Sequence, residues 1–344
     1  MPSTAPVLSA SEAAQRLGVS PKALRLYEQR GLVVPARTAA GWRAYGPAEM
    51  ARAGEVVALR ALGLSLAQVA RVLKGEAHGL ERALTAHQAV LEHQIRSLSD
   101  SLDAVRSLRS DLASGRIPGL GAVARLAGEV SPSPVRFALP WPWGGESFEL
   151  PDRTPLTYIT GPLGSGKTRL GRRIAESLPE AAFLGLDRLD NGAAAARRQL
   201  EQDDALKARV DEAAAWLVED GADMSEALLA LLVGLESEGP AALVVDMVEQ
   251  GLDASAQTAV IAFLRCRGNA ARPLFLLTRS SAILDLAALG RDEAILFCPA
   301  NHSPPMWVLA VPGAPGYEAV ATCLASPEVR ARTAGVIAWR PAVA

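Results

Sequence analysis

The sequence predicts a multidomain chain: an all-α winged helix-turn-helix with a long dimerisation helix, then an α/β P-loop NTPase domain. Three observations predict it. Residues 9–75 break into short helices, most with a start signal and some with a stop signal. Residues 80–112 hold no Gly or Pro and place an apolar residue at every seventh position. Residues 161–168 read Gly-Pro-Leu-Gly-Ser-Gly-Lys-Thr directly after an apolar run.

Composition sets the bounds. The chain has 344 residues, more than one typical domain needs, and 49% of them are hydrophobic. Its net charge of -2 hides an asymmetry. Residues 1–75 hold ten Arg or Lys against four Glu, so the remainder is acidic. A basic module on an acidic body points to localised nucleic-acid contact and excludes a uniformly basic coat. Three cysteines, Cys266, Cys298 and Cys323, are too few for a disulfide framework. No signal-peptide core and no long uncharged apolar run occurs, so a cytoplasmic chain with no membrane partner is expected. Only Lys22, Lys74, Lys167 and Lys207 are lysines, which makes each lysine position informative.

The N-terminal block, residues 1–76, is read in order. Ser9 and Glu12 form a capping box before Ala13, Ala14 and Leu17, and Gly18 closes that helix. Ser20 caps a second helix with Pro21 in its first position. That helix carries Lys22, Arg25 and Tyr27. The short gap between the two is helix-turn-helix spacing, with the second helix set for the major groove. Residues 33–45 are too long for a tight turn; Arg37, Gly41, Trp42, Arg43 and Tyr45 suit a wing. A third helix follows Pro47, and a fourth opens at Ser65 with Gln68 as its box partner.

The runs SPKALRLYEQRGLVVPAR, GWRAY and LRALGLSLAQVARVL resemble the MerR family of transcription regulators over about 70 residues. The resemblance implies a dimer that bends and untwists double-stranded promoter DNA and meets RNA polymerase indirectly. It matches Arg25 and Tyr27 to recognition-helix contacts, and Arg37, Arg43 and Tyr45 to wing contacts. Ser20 and Lys22, at the start of the same helix, complete the candidate DNA-binding set.

Residues 77–113 read as a coiled-coil dimerisation helix. Leu84, Leu91, Leu98, Val105 and Leu112 form the seam, widened by Ile95 and Leu102, with polar His87, Gln94 and Ser101 offset from it. A strict seven-residue repeat keeps one seam turned toward a partner helix, so a homodimer is expected. The family resemblance implies antiparallel pairing at this place. Its metal-sensing members bind metal through cysteines near this helix. Residues 1–265 hold no cysteine, which argues against thiolate-based metal sensing.

Residues 114–134 read as a linker, and residues 135–344 as a nucleotide-binding domain. The strand Leu156–Thr160 leads into the P-loop, whose candidate nucleotide-binding residues are Gly161, Gly164, Ser165, Gly166, Lys167 and Thr168. Backbone amides of such a loop form an anion nest, the lysine reaches the outer phosphates, and the threonine hydroxyl meets Mg²⁺. The following helix sets its positive end under the phosphates. A second apolar strand ends in Asp246, a candidate for the Mg²⁺ shell beside Thr168. ATP and Mg²⁺ are therefore the expected cofactors. Phe137, Trp141 and Trp143 precede the P-loop at a distance that suits a base-stacking aromatic.

The runs from Asp246 to Leu264 and from Pro273 to Leu284 make the module look like the ABC-type ATPases. The resemblance implies that Asp246 binds Mg²⁺, that Gly251-Leu252-Asp253 is an interface loop, and that Thr278-Arg279 stands where the family senses the terminal phosphate. The departures bear on activity. Met247 occupies the position of the family's catalytic glutamate, with Glu249 two residues later. Arg279 replaces the switch histidine, and Met224-Ser225-Glu226 is a remnant of the signature that lacks its glycines. Weak ATPase activity stays open on this reading, and no catalytic residue is assigned. Phe183–Arg188 reads as another strand ending in Asp187, which keeps a small-molecule kinase in play. Cys298 and His302 are a sparse metal pair, set aside because the intervening Pro299 argues against a helix face and only two ligand types are present.

Three functions follow. The first is a dimeric DNA-binding transcriptional regulator with an ATP-binding effector module. The second is a DNA-tethered ATPase or small-molecule kinase that controls its own promoter. The third is a degenerate ATPase fold kept for dimerisation.

Overall fold

A computed structural model describes residues 7–38, 40–76, 80–114, 135–150, 154–267, 272–290, 292–327 and 329. The linker expected over 114–134 lies, past Ser114, outside the described residues, as do the side chains of Gln94, Leu98 and Ser101.

The helices of the N-terminal block begin and end where local chemistry satisfies their free backbone groups. Helix α1 (Ala10–Leu17) opens at Ser9, whose hydroxyl accepts from the Glu12 amide while the Glu12 carboxylate accepts from the Ser9 amide. Such a cap contributes about 1 kcal/mol. Gly18, at φ 68°, closes it. Ser20 caps α2 (Pro21–Gln29) in the same way. A short hairpin, β1 (Ala36–Arg37) and β2 (Arg43–Ala44), precedes α3 (Pro47–Ala61) and α4 (Leu66–Val72). Ala13, Leu24, Tyr27, Tyr45, Val56, Leu64 and Val69 fill the core between them.

Helix α5 (Leu80–Ala113) leaves this block; among its described side chains Leu80 and Ala83 pack back on the core. Along the rest, Leu84, Leu91, Ile95, Leu102, Val105 and Leu112 are exposed.

The C-terminal domain is built on one sheet. Its strands are β5 (Leu156–Thr160), β6 (Ala181–Leu184), β7 (Ala242–Val245), β8 (Leu274–Leu277), β9 (Glu293–Phe297) and β10 (Met306–Val308). The order is β10-β9-β5-β8-β7-β6; only β10 runs antiparallel. Strands covered on both faces read as continuous apolar runs, which explains Leu243-Val244-Val245 and Leu274-Phe275-Leu276-Leu277. Alternate side chains serve the two faces. Ile159, Val244 and Leu277 meet α6 (Lys167–Ser177) and the small hairpin β3 (Val135–Ala138) and β4 (Ser147–Leu150). Tyr158, Leu243 and Leu276 meet a helical layer: α7 (Ala194–Gln202), α8 (Asp204–Glu219), α9 (Glu226–Glu236) and α10 (Ala254–Cys266). Helix α11 (Tyr317–Cys323) closes the far end.

The carboxyl ends of β5, β7, β8 and β9 share one edge. Backbone bonds stitch them just past the strands: Thr278 N donates to Ile159 O at 3.0 Å, and Cys298 N to Thr160 O at 2.8 Å. Ligands of parallel sheets seat outside this edge, and the sequence-predicted residues gather there.

Candidate nucleotide and DNA sites

The loop after the central strand β5 has the backbone that phosphate nests require. Gly161, Gly164 and Gly166 take φ of 153°, 79° and 91°, a region closed to most side chains. A Cβ on Gly161 would lie 2.3 Å from the Cys298 carbonyl oxygen, so the close approach of loop and β9 demands glycine. The ring of Trp143 and Pro142 press against Gly166 from below, and the Trp143 indole donates to Ser303 O at 2.9 Å. The His302 ring meets Gly164 O at 3.2 Å.

Lys167 folds back into this loop. Its Nζ donates to Gly161 O and Pro162 O, both at 2.8 Å. Burial is the main reason its ammonium is pulled down to about 8, and the Arg279 charge adds to it. A cation held in this way would gain from an incoming anion. The Thr168 hydroxyl donates to Asp246 Oδ1 at 3.3 Å, although β5 and β7 are separated by β8. Burial raises the Asp246 carboxyl, and the Thr168 bond opposes that. A buried carboxylate beside an exposed threonine hydroxyl suits Mg²⁺, which would supply charge neutralisation for a triphosphate. Lys167, Thr168, Asp246 and Arg279 are thus brought together.

The loop after β7 is organised differently. Met247 takes φ 45°, uncommon for a non-glycine residue. Arg188, which is buried, donates to Gly185 O, Asp246 O and Met247 O at 2.8, 2.8 and 2.9 Å. Glu249 is buried and accepts from the Arg279 amide at 3.0 Å. That bond braces the two loops and ties the nearest glutamate to backbone. The sequence alone gives Arg188 no role, because a lone arginine after a strand carries no motif. Strand β6 also stops at Leu184, before Asp187, which sits exposed in a 3-10 turn, Leu186–Leu189.

Of the three aromatics, Phe137 and Trp143 are buried, whereas Trp141 is 67% exposed. The Arg169 guanidinium lies 4.1 Å over its ring. Trp141 is therefore the aromatic at the mouth of the site.

In the N-terminal block the expected DNA contacts divide. Lys22 and Arg25 are exposed on α2, and Arg37 and Trp42 are exposed on the hairpin. Arg43 pairs with Glu28 at 2.6 Å. Three expectations are corrected. Tyr27 is 6% exposed and Tyr45 0%, so their side chains are core and cannot lie on a duplex. The Tyr45 hydroxyl donates to Glu28, and burial raises both phenols above their usual range. Ser20 is buried as a helix cap. The family resemblance names the two tyrosines and the helix start names Ser20; packing and capping occupy these side chains instead. Among the described residues no cluster of three or more metal-ligating side chains occurs, and Cys298 is buried under the P-loop. No described helix is long and apolar enough to cross a membrane.

Comparison with known proteins fits the N-terminal geometry. The model of the MerR HTH family regulatory proteins matches residues 8–76. A Haemophilus influenzae protein named "Probable heavy metal-dependent transcriptional regulator" is 35% identical over 98 residues, covering 26% of this chain and 77% of that protein. The HTH-type transcriptional regulator HmrR of Sinorhizobium medicae is 33% identical over 110 residues, covering 30% and 75%. The chain belongs to the MerR HTH family and is a MerR-type transcriptional regulator. A bacterial Atm1-family ABC exporter with ATP bound aligns over 86% of this chain and 67% of its own, at 13% identity and a TM-score of 0.36, too low a likeness to argue from.

Proposed function

We propose that this regulator acts as a homodimer on promoter DNA and that its C-terminal domain binds ATP with Mg²⁺ as the effector. Lys22, Arg25, Arg37 and Arg43 form the duplex-facing set. The exposed seam of α5 gives the dimer contact, because six large apolar side chains along one helix stay exposed among the described residues. Lys167, Thr168, Asp246 and Arg279 hold the nucleotide, with Gly161, Gly164, Ser165 and Gly166 forming the nest. Trp141 is placed to stack on the base once Arg169 yields.

One observation carries the reading. The binding parts of the P-loop converge on Asp246, while the next residue is Met247 and Glu249 is engaged with the Arg279 amide. Occupancy rather than rapid turnover is then the signal. A ligand shifts an equilibrium only by its differential affinity for two states, so ATP must favour one arrangement of the readers. Dialysis of the purified protein with ATP, with and without Mg²⁺, followed by a turnover assay, tests it. Micromolar, Mg²⁺-dependent binding with little hydrolysis supports the reading. Sustained turnover favours the DNA-tethered enzyme, and no binding at millimolar ATP favours a degenerate fold.

A further inference from the structure

Among the described residues the two domains meet at a charged seam. The turn after α8, residues 219–222, docks into the junction between α3 and α4 of the DNA-binding block. Asp220, 5% exposed, takes both Arg60 Nη1 and Nη2, at 2.7 and 3.2 Å, and accepts from the Leu66 amide at 2.8 Å. Its carbonyl accepts from Arg30 at 3.2 Å. Glu219 takes the Ser65 hydroxyl at 2.7 Å and Arg71 at 2.9 Å. The Trp216 indole donates to Gly63 O at 2.9 Å, with the Arg60 guanidinium 5.2 Å over its ring. Gly221, at φ 101°, leaves room for Arg30; a Cβ there would lie 1.7 Å from its Nη2. Two arginines, a hydroxyl and an amide from one domain thus close on two adjacent carboxylates of the other, and Arg30 holds the Asp220 carbonyl. Burying an aspartate in this way is tolerable only while those partners stay in place.

The other side of this turn leads to the nucleotide site. Four residues after Gly221, Ser225 caps α9. At Ala227 the first turn of α9 meets Gly251, where an added Cβ would come within 2.7 Å of the Ala227 Cβ. Helix α9 also packs on the 3-10 turn that delivers Arg188 to the carbonyls of Asp246 and Met247. The loop 246–253 is therefore held to α9 at two points, and α9 is joined to the docked turn by a few residues.

We propose that Asp220 and Glu219 form a coupling latch that transmits nucleotide occupancy from the 246–253 loop to the DNA-binding block. The latch rests on the reading that this domain binds ATP with Mg²⁺. If Asp246 engaged Mg²⁺, the 246–253 loop would shift, α9 would follow it, and the 219–222 turn would move against Arg60 and Leu66. Physical coupling of this kind needs an element with two arrangements that both sites bias; the docked turn is that element.

Amide hydrogen exchange of the full chain tests it, with ATP and Mg²⁺ as the added ligand and nucleotide affinity measured separately by dialysis. Without nucleotide, the segment 62–72 is protected, and Asp220→Asn lowers that protection at least tenfold. ATP with Mg²⁺ changes exchange of the same segment several-fold in the unaltered chain. In Asp220→Asn it leaves exchange unchanged although ATP affinity stays within twofold. Glu219→Gln, at the half-buried rim, gives the same pattern more weakly and serves if Asp220→Asn does not fold. Equal exchange in the unaltered and altered chains without nucleotide overturns the docked contact. Nucleotide binding that leaves segment 62–72 unmoved overturns the latch and spares the nucleotide reading. Failure of the chain to bind ATP in dialysis sinks both.

Discussion

The loop after β5 and the loop after β7 meet at the same edge of the sheet, yet they are held by different forces. The first is glycine backbone wrapped around a lysine, with three residues at positive φ. The second is pinned from outside, by Arg188 on two of its carbonyls and by the Glu249 bond to the Arg279 amide. A nest retains its shape when the ligand leaves; a pinned loop changes shape when a pin is pulled. On the proposed reading one loop binds and the other reports, and Met247 puts no carboxylate at the position next to Asp246.

The largest effect is expected at the first loop. Lys167→Ala removes the only lysine of the nest, and ATP affinity should fall about 10- to 100-fold, the range of a lost charge-assisted hydrogen bond. Dialysis reads that loss, and an unchanged melting curve shows that the fold persists. A smaller loss would mean that the backbone amides alone hold the phosphates.

The second loop is sharpened by adding what it lacks. Met247→Glu should raise turnover on the order of 10-fold, below the usual range for an optimised general base, because Arg188 still fixes the backbone there. Phosphate release at saturating ATP measures it. No gain would show that the loop geometry, and not the missing carboxylate, sets the rate.

A pH series separates the loops further. The Lys167 ammonium sits at about 8 without ligand, and a phosphate beside it would raise that value. Binding then takes up a proton above pH 8. Affinity should be flat below pH 8 and fall by up to about tenfold per unit above it. Lys167→Arg, which stays charged, should remove that slope. A slope that survives the change would place the titrating group elsewhere.

The smallest effect belongs to the rim. Trp141→Leu should weaken ATP about fivefold, the lower end of base stacking on an aromatic side chain. Inorganic triphosphate, which has no base, should bind equally well to both proteins.

Much of this was legible in the sequence because the signals are local. Ser9 with Glu12, Ser20 with the Ala23 amide behind Pro21, and Ser65 with Gln68 mark helix starts through bonds that span three residues. The P-loop is equally local: its glycines are set by backbone conformations within the loop itself. Pairings across the fold were less legible. The family resemblance matches Tyr27 and Tyr45 to DNA contacts by position, and a position in sequence does not say whether a side chain faces the core. Arg188 carried no signal, since its role depends on β6 and β7 lying side by side. Asp220 and Glu219 looked like ordinary solvated acids at a helix end. Only the docking of two domains, about 150 residues apart in sequence between the pairs Ser65–Glu219 and Leu66–Asp220, gives them partners.

The central claim is that nucleotide occupancy sets the behaviour of the DNA-binding block. The most direct measurement is a footprinting titration of the full chain on the promoter fragment it selects, with ATP and Mg²⁺, with ADP, and with Lys167→Ala. The account predicts that ATP with Mg²⁺ shifts operator affinity or the pattern of DNA distortion, and that Lys167→Ala does not respond. Identical footprints in all three arms would contradict it.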